Sequence, residues 1–162
     1  ATVAAIAVLG STLGANISLG SGSAIEFGQG VQTTSACDNA ITLSPKVTFV
    51  NSSTSPQFYL STVSFSGVDA TTSGCQGKVL TLNAYGDSSA TPLQLATAPG
   101  SVALSAATIG INSSTPTSAA GTTISAIGGG GANSTTLAFD LGFTTPSSTS
   151  GAVYKLTLQS GN

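Results

Sequence analysis

The stretch Ala1-Thr2-Val3-Ala4-Ala5-Ile6-Ala7-Val8-Leu9, closed by Gly10, contains no charged residue. If it forms a strand, apolar side chains lie on both faces, because neighbouring positions point to opposite sides. One face then carries Ala4, Ile6 and Val8, and the other carries Val3, Ala7 and Leu9. A strand that is apolar on both faces must be covered on both faces. We therefore expect residues 1–10 to form a separate N-terminal strand that is buried in a sheet, quite possibly that of a neighbouring copy.

The remaining residues, 11–162, are expected to form one all-β domain, a β-sandwich or jelly roll. Twenty glycines and many Ser and Thr residues separate short runs in which apolar and polar residues alternate. Such runs, bounded by turn residues, predict about ten strands and no amphipathic helix. One clear alternation comes early in the chain, at Leu13, Ala15, Ile17 and Leu19.

Two strands have a predicted irregularity. The segment from Gln57 to Val68 is the best strand candidate, but its apolar positions break period two between Leu60 and Val63. This break predicts a bulge near Ser61-Thr62. Pro45 lies inside another predicted strand, where it cannot donate a ladder hydrogen bond, so it predicts an edge, a bulge or a break.

The charge content is very low and excludes several kinds of partner. Only three Lys and five acidic residues occur, with no His, and the formal net charge is −2. Nucleic-acid binding needs clustered basic residues, so it is not expected. The apolar run is about half as long as the ~20 residues of a membrane-spanning helix, so no span is expected. Weak charge repulsion favours association between copies.

Cys37 and Cys75 are the only cysteines, and a lone pair in a Ser/Thr-rich chain predicts one disulfide. Two buried free thiols are the alternative. We expect a signal peptide to have been removed before Ala1, which places the protein outside the cell or on its surface. An alternative is that the apolar run is itself the core of an uncleaved signal peptide.

No catalytic, cofactor-binding or metal-binding residues are predicted, and an enzyme is not expected. Without His, the Ser-His-Asp and Cys-His arrangements are excluded. The glycine run 128–131 lacks the following helix and Lys of a phosphate loop. Two further sites stay open. One is a Ca²⁺ site built from loop oxygens such as Asp69 and Asp87. The other is a Lys–Asn or Lys–Asp isopeptide bond assisted by Glu26.

Aromatic side chains are the candidates for ligand binding at the surface, and sequons are the candidates for glycosylation. Phe49, Phe58, Phe65 and Phe139 fall on apolar strand positions and are expected in the core, whereas Tyr59 and Tyr85 are the better surface candidates. Four Asn residues begin an Asn-x-Ser/Thr sequon. Candidate glycosylation sites in predicted loops are Asn51, Asn112 and Asn133, and Asn16 is the poorest because it lies in a predicted strand.

The layout of Ala1–Leu9, the pivot Gly10 and the strand series after it resembles secreted filament subunits of the TasA-like and archaeal bundling-pilus kind. This resemblance implies a jelly-roll subunit whose N-terminal strand completes the sheet of the next subunit. A second resemblance is to secreted Ser/Thr-rich bacterial surface proteins. It is carried by Cys37-Asp38-Asn39-Ala40-Ile41-Thr42-Leu43 and Cys75-Gln76-Gly77-Lys78-Val79-Leu80-Thr81-Leu82.

We therefore expect a structural subunit of an extracellular filament or pilus, with copies of itself as partners. It would polymerise by donor-strand complementation, in which an extended segment adds to a sheet edge of the next copy. The polymerisation strand comprises Val3, Ala4, Ile6, Val8 and Leu9. The alternatives are a surface adhesin or carbohydrate-binding module with surface glycans as partners, and a viral capsid or tail jelly-roll protein.

Overall fold

The computed structural model describes residues 17–18, 24–27, 30–33, 36–51, 56–112, 115–129 and 136–162. These residues form an all-β structure, and none of them is helical, as the alternating sequence pattern predicts. Their strands, numbered in chain order, are β1 (Ile17–Ser18), β2 (Ala24–Phe27), β3 (Gly30–Thr33), β4 (Thr42–Val50), β5 (Gln57–Asp69), β6 (Val79–Tyr85), β7 (Ala96–Ala98), β8 (Val102–Leu104), β9 (Ala107–Gly110), β10 (Thr117–Ser118), β11 (Thr122–Gly129), β12 (Thr136–Phe143) and β13 (Lys155–Gly161).

Two antiparallel sheets contain most of these strands. The larger sheet has the order β1-β4-β5-β12-β11, and the smaller has the order β10-β9-β6-β13. The strands β2 and β3 form a separate two-stranded sheet, and so do β7 and β8. Chain neighbours such as β4 and β5 pair as hairpins, whereas β5 with β12 and β6 with β13 join distant segments.

One hydrophobic core lies between the two larger sheets. Leu43, Phe65 and Phe139 of the larger sheet belong to the same buried cluster as Leu82 and Leu158 of the smaller sheet. The rings of Phe65 and Phe139 stack with their centroids 4.8 Å apart and an interplanar angle of 10°. Along β12 buried and more accessible residues alternate, as expected for a strand with one face on a core. The arrangement is therefore sandwich-like, as the sequence pattern predicts.

The predicted bulge in β5 is confirmed. Lys46 of β4 lies opposite Thr62, and the next residue, Val47, lies opposite Leu60, so Ser61 is the extra residue. The bulge keeps Leu60 and Val63 on the same buried face despite their odd spacing.

Pro45 lies inside β4 opposite Val63, and it is buried. On its other side β4 pairs only through Thr42 and Leu43, with β1. Within the part of the chain that the structure describes, no strand therefore lies beside Pro45 on that side. This placement agrees with the prediction of an edge, where proline is tolerated in sheets.

Cys37 and Cys75 form a disulfide with their Cα atoms 5.2 Å apart, as the cysteine count predicts. Beside it, the Asp38 carboxylate accepts hydrogen bonds from the N–H groups of Ala40 and Asp69, each 2.8 Å long. The disulfide and these hydrogen bonds together fasten the start of β4 to the end of β5.

Alternation misleads in two segments. The run Leu93-Gln94-Leu95 alternates as a short strand does, but in the structure it precedes β7, although Leu95 is fully buried. The alternation from Val102 to Ile111 predicts a strand with one slip, whereas the structure has two strands, β8 and β9, in different sheets. Alternation shows which residues are apolar, but it does not show where the chain leaves one sheet for another.

Candidate functional site: the tip of the β4–β5 hairpin

The β4–β5 hairpin extends beyond the other described strands of its sheet. β12 pairs with β5 only from Thr62 to Asp69, and β1 pairs with β4 only at Thr42 and Leu43. The hairpin tip, which we define as residues 47–50 and 57–60, therefore has no neighbour from β1 or β12. This overhang follows from strand length, since β5 has 13 residues and β12 has 8.

One edge of the hairpin tip is held by the turn that follows β12. The N–H of Leu60 donates to the carbonyl of Ser148 at 2.9 Å, and the N–H of Ser150 donates to the carbonyl of Phe58 at 2.8 Å. Tyr59 forms an isolated antiparallel bridge with Thr149 between these two hydrogen bonds. The overhanging end of β5 is thus positioned by backbone hydrogen bonds.

The inner face of the sheet continues along the hairpin tip, but most of the side chains on it are exposed there. Val47 lies opposite Leu60, and Phe49 lies opposite Phe58, so these four residues share one face. Leu60 is 1% exposed, whereas Val47, Phe49 and Phe58 are 37%, 51% and 52% exposed. We call these three exposed residues the tip face. The rings of Phe49 and Phe58 are 5.0 Å apart and tilted by 52°.

The expectation that Phe49 and Phe58 belong to the core is wrong, whereas Phe65 and Phe139 are buried as predicted. All four residues occupy inward positions of their strands. Phe49 and Phe58 are exposed because they lie past the end of the neighbouring strands. The unequal length of the predicted strands was the available signal, since a long hairpin in a sheet of shorter strands must overhang.

The two tyrosines predicted as surface candidates lie on different sheets, Tyr59 on β5 and Tyr85 on β6. Both are partly buried. The ammonium group of Lys155 lies 5.3 Å from the centroid of the Tyr85 ring, a cation–π distance. The structure does not bring the two tyrosines together into one aromatic platform.

A polar group of residues lies on the outer face of the larger sheet. The ammonium group of Lys46 is 3.1 Å from the carboxylate of Asp140, and the Ser64 hydroxyl donates to the same carboxylate at 2.5 Å. The Ser64 hydrogen bond holds the pKa of Asp140 below its usual value; partial burial acts in the opposite direction, and Lys46 adds to the lowering. Lys46 and Asp140 therefore form a partly exposed ion pair.

The acidic residues proposed for a Ca²⁺ site lie at the ends of different strands. Asp69 ends β5, and Asp87 follows β6. The Thr71 hydroxyl and backbone N–H hold the pKa of Asp69 below its usual value, the N–H donating at 2.9 Å. Among the described residues, no group of three or more His, Cys, Asp or Glu side chains could hold a metal ion.

Two of the candidate glycosylation sites can be placed. Asn51 directly follows β4, and Asn112 follows β9 in a loop where its amide donates to the carbonyl of Thr115. Both residues are exposed. Asn133, Asn16 and the whole polymerisation strand 1–9 lie outside the described residues, and the side chain of Glu26 is not described either.

Comparison of the chain with protein-family models, with curated proteins and with solved structures finds no match. In the part of the chain that the structure describes, no helix is long and apolar enough to span a membrane.

Proposed function

We propose that this protein is a structural subunit of an extracellular filament or pilus, and that the segment Ala1–Leu9 joins each copy to the next. The observation that carries the proposal is the tip face, where Val47, Phe49 and Phe58 expose apolar surface side by side. Single exposed apolar residues are common on proteins, but a cluster of large ones indicates an interaction site.

The polymerisation strand supplies the second part of the proposal. An extended segment that adds to the sheet of another copy gains main-chain hydrogen bonds, and its side chains fill apolar pockets. Complete burial of Val3, Ile6, Val8 and Leu9 would contribute about 1.5–3 kcal/mol for each side chain. A joint of this kind, made head to tail, does not close on itself and therefore produces a fibre.

The low charge content and the disulfide support the proposal of an assembly outside the cell. Charged residues make up 5% of the sequence, so copies repel one another weakly. The Cys37–Cys75 disulfide is typical of proteins outside the reducing cytoplasm. In this proposal the sandwich-like pair of sheets is a jelly roll that serves as the body of each subunit.

A surface adhesin that binds glycans is the second candidate, and the exposed aromatic pair favours it. A sugar ring needs a flat apolar face to pack against. The 52° tilt between Phe49 and Phe58 does not provide one continuous flat platform. For this reason the adhesin ranks below the filament subunit.

The proposal is tested by placing one charge within the polymerisation strand. Ile6→Asp would put a carboxylate into the proposed buried joint, where an unpaired charge is strongly unfavourable. Thr12→Asp is the matched control, because it adds the same charge outside the segment. We expect light scattering to show assemblies for the intact chain and for Thr12→Asp, and monomers for Ile6→Asp. Assembly of Ile6→Asp at the level of the intact chain would overturn the proposal.

A further inference from the structure

Exposed apolar side chains are concentrated at the hairpin tip. Among the described residues, the large apolar side chains that are exposed at the tip are Val47, Phe49, Val50 and Phe58. Two others are exposed elsewhere, Val79 on β6 and Val102 on β8, and these strands belong to different sheets. Single exposed apolar residues need no explanation, whereas a cluster of them indicates a surface that a partner covers.

The backbone of the hairpin tip is already fixed in the single chain. The N–H of Leu60 donates to the carbonyl of Ser148, and the N–H of Ser150 donates to the carbonyl of Phe58. Across the hairpin, the ring of Phe49 lies 5.0 Å from that of Phe58. The tip face is therefore formed before a partner arrives, so binding does not have to order it.

The hairpin tip offers no charge to a partner. No charged residue occurs in the sequence from Val47 to Leu60. Lys46, which precedes the tip, is already paired with the Asp140 carboxylate at 3.1 Å. A charged partner would lose its water here without gaining a counter-charge, which is unfavourable. We therefore expect an uncharged, apolar partner.

The exposed area favours a short segment as the partner. An aromatic side chain buries roughly 150–250 Å² when it is fully covered, so the half-exposed rings of Phe49 and Phe58 offer about that area together. A standard interface between folded proteins takes about 800 Å² from each partner. A few side chains of a short segment can cover the tip face, whereas two folded surfaces that meet only there bury too little.

The chain itself contains a segment of the required composition, Ala1–Leu9, which has no charged residue. Its large aliphatic side chains are Val3, Ile6, Val8 and Leu9. In the other stretches of sequence outside the described ranges, large apolar residues occur only at positions 13 and 19. Aliphatic side chains suit the tip face, because the two rings are tilted by 52° and do not form one plane.

We propose that the tip face is the surface on which the segment Ala1–Leu9 of another copy docks. This inference rests on the proposed function, in which the segment joins one copy to the next, and it adds the acceptor. Aliphatic side chains of the segment then cover Val47, Phe49 and Phe58. Because the donor segment and the acceptor surface are different parts of the chain, the joint is head to tail.

Photo-cross-linking tests this contact in the full chain. Phe58 is replaced by the photoreactive analogue p-benzoylphenylalanine, which keeps an aromatic ring at this position. The matched control carries the same analogue in place of Val102, which is 59% exposed and lies on β8. Isotopically labelled and unlabelled chains are mixed before assembly and then irradiated. Mass spectrometry of proteolytic fragments identifies the linked segments, and the isotope pattern shows whether a link joins two chains or lies within one.

We expect position 58 to be linked to residues 1–9 of a second chain, with a yield about tenfold above that of position 102, because only a residue inside the joint lies against the partner. Links within one chain alone would overturn the inference, and so would links from position 58 to any other segment. Equal yields from the two positions, or no link from position 58, would also overturn it.

The variant Ile6→Asp separates failure of this inference from failure of the proposed function. If Ile6→Asp stays monomeric while position 58 is linked to another segment, the segment Ala1–Leu9 still joins the copies, and only its acceptor is wrong. If Ile6→Asp assembles like the intact chain, the proposed function and this inference fail together.

Discussion

The rings of Phe49 and Phe58 lie 5.0 Å apart at the hairpin tip, and about half of each side chain is exposed. A second pair, Phe65 and Phe139, lies at 4.8 Å on the same sheet, and each is 1% exposed. Both pairs join inward positions of neighbouring strands. They differ because the second pair faces the smaller sheet, whereas the first lies past the end of the sheet.

The two pairs therefore predict losses of stability of very different size for the same kind of substitution. Phe65→Ala leaves a cavity in the core and should lower the free energy of unfolding by about 3–5 kcal/mol. Phe58→Ala removes a side chain that is half exposed, and should lower it by about 1 kcal/mol or less. Chemical denaturation measures both values. An equal loss for the two variants would show that the hairpin tip is covered in the free protein.

The disulfide is expected to contribute strongly to stability. Cys37 and Cys75 are separated by 38 residues, and the chain-entropy model gives about 4 kcal/mol for a loop of that length. The double variant Cys37→Ala with Cys75→Ala should lower the free energy of unfolding by about 2–4 kcal/mol, as measured in guanidinium chloride. The intact chain treated with a reducing agent is the control and should show a similar loss. Unchanged stability in both would contradict the account of the fold.

Asp140 should make stability depend on pH in the acid range. The Ser64 hydroxyl, and after it Lys46, hold the pKa of Asp140 below its ordinary value of 3.8, against the effect of partial burial. A carboxyl group whose pKa is lower in the folded state stabilises the fold above its unfolded pKa, and that contribution is lost as the pH falls through the folded pKa. The intact chain should therefore exceed Asp140→Asn in stability at neutral pH, and the difference should shrink below about pH 4.

The variant Ser64→Ala tests the cause of the lowered pKa of Asp140. It removes the largest single cause of the lowered pKa of Asp140, so it should weaken the acid-range dependence. Thermal unfolding between pH 2 and 7, roughly the range in which carboxyl groups titrate, provides the measurement. A difference between Asp140→Asn and the intact chain that stays constant over this range would contradict the assignment.

Two glycines with a left-handed backbone conformation allow the cost of backbone strain to be measured separately from the cost of a steric clash. Gly67 has a φ of 72°, and a Cβ atom there would lie 2.8 Å from the carbonyl oxygen of Ala40. Gly77 has a φ of 76°, and a Cβ atom there would meet nothing within 4 Å. Gly77→Ala should thus show only the conformational penalty of about 1–2 kcal/mol, and Gly67→Ala should lose more. Denaturation curves in which Gly67→Ala is the more stable variant would show that β5 shifts to accept the methyl group.

Much of the fold could be predicted from alternation and turn residues. The bulge at Ser61 follows from the odd spacing of Leu60 and Val63, and among the described residues Pro45 has a strand on one side alone, as its missing N–H favours. These features depend on neighbours in sequence. Which strands are adjacent in a sheet, such as β5 beside β12, depends on contacts between distant segments, so no local pattern reveals it.

The candidate site was harder to predict than the fold. The positions of Phe49 and Phe58 show that they point inward, but their exposure depends on how far the other strands reach. The polar partners of Asp140 were also missed, because Lys46 and Ser64 are brought to it only by the strand order. The absence of His excluded several catalytic arrangements from the start.

The role of the segment Ala1–Leu9 is the central claim, and deletion of that segment tests it most directly. The purified intact chain and a variant lacking residues 1–9 should be compared by negative-stain electron microscopy at equal concentration. We predict filaments from the intact chain, and separate particles of single-domain size from the variant. Filaments from the variant, or separate particles from both proteins, would contradict the claim that this segment joins one copy to the next.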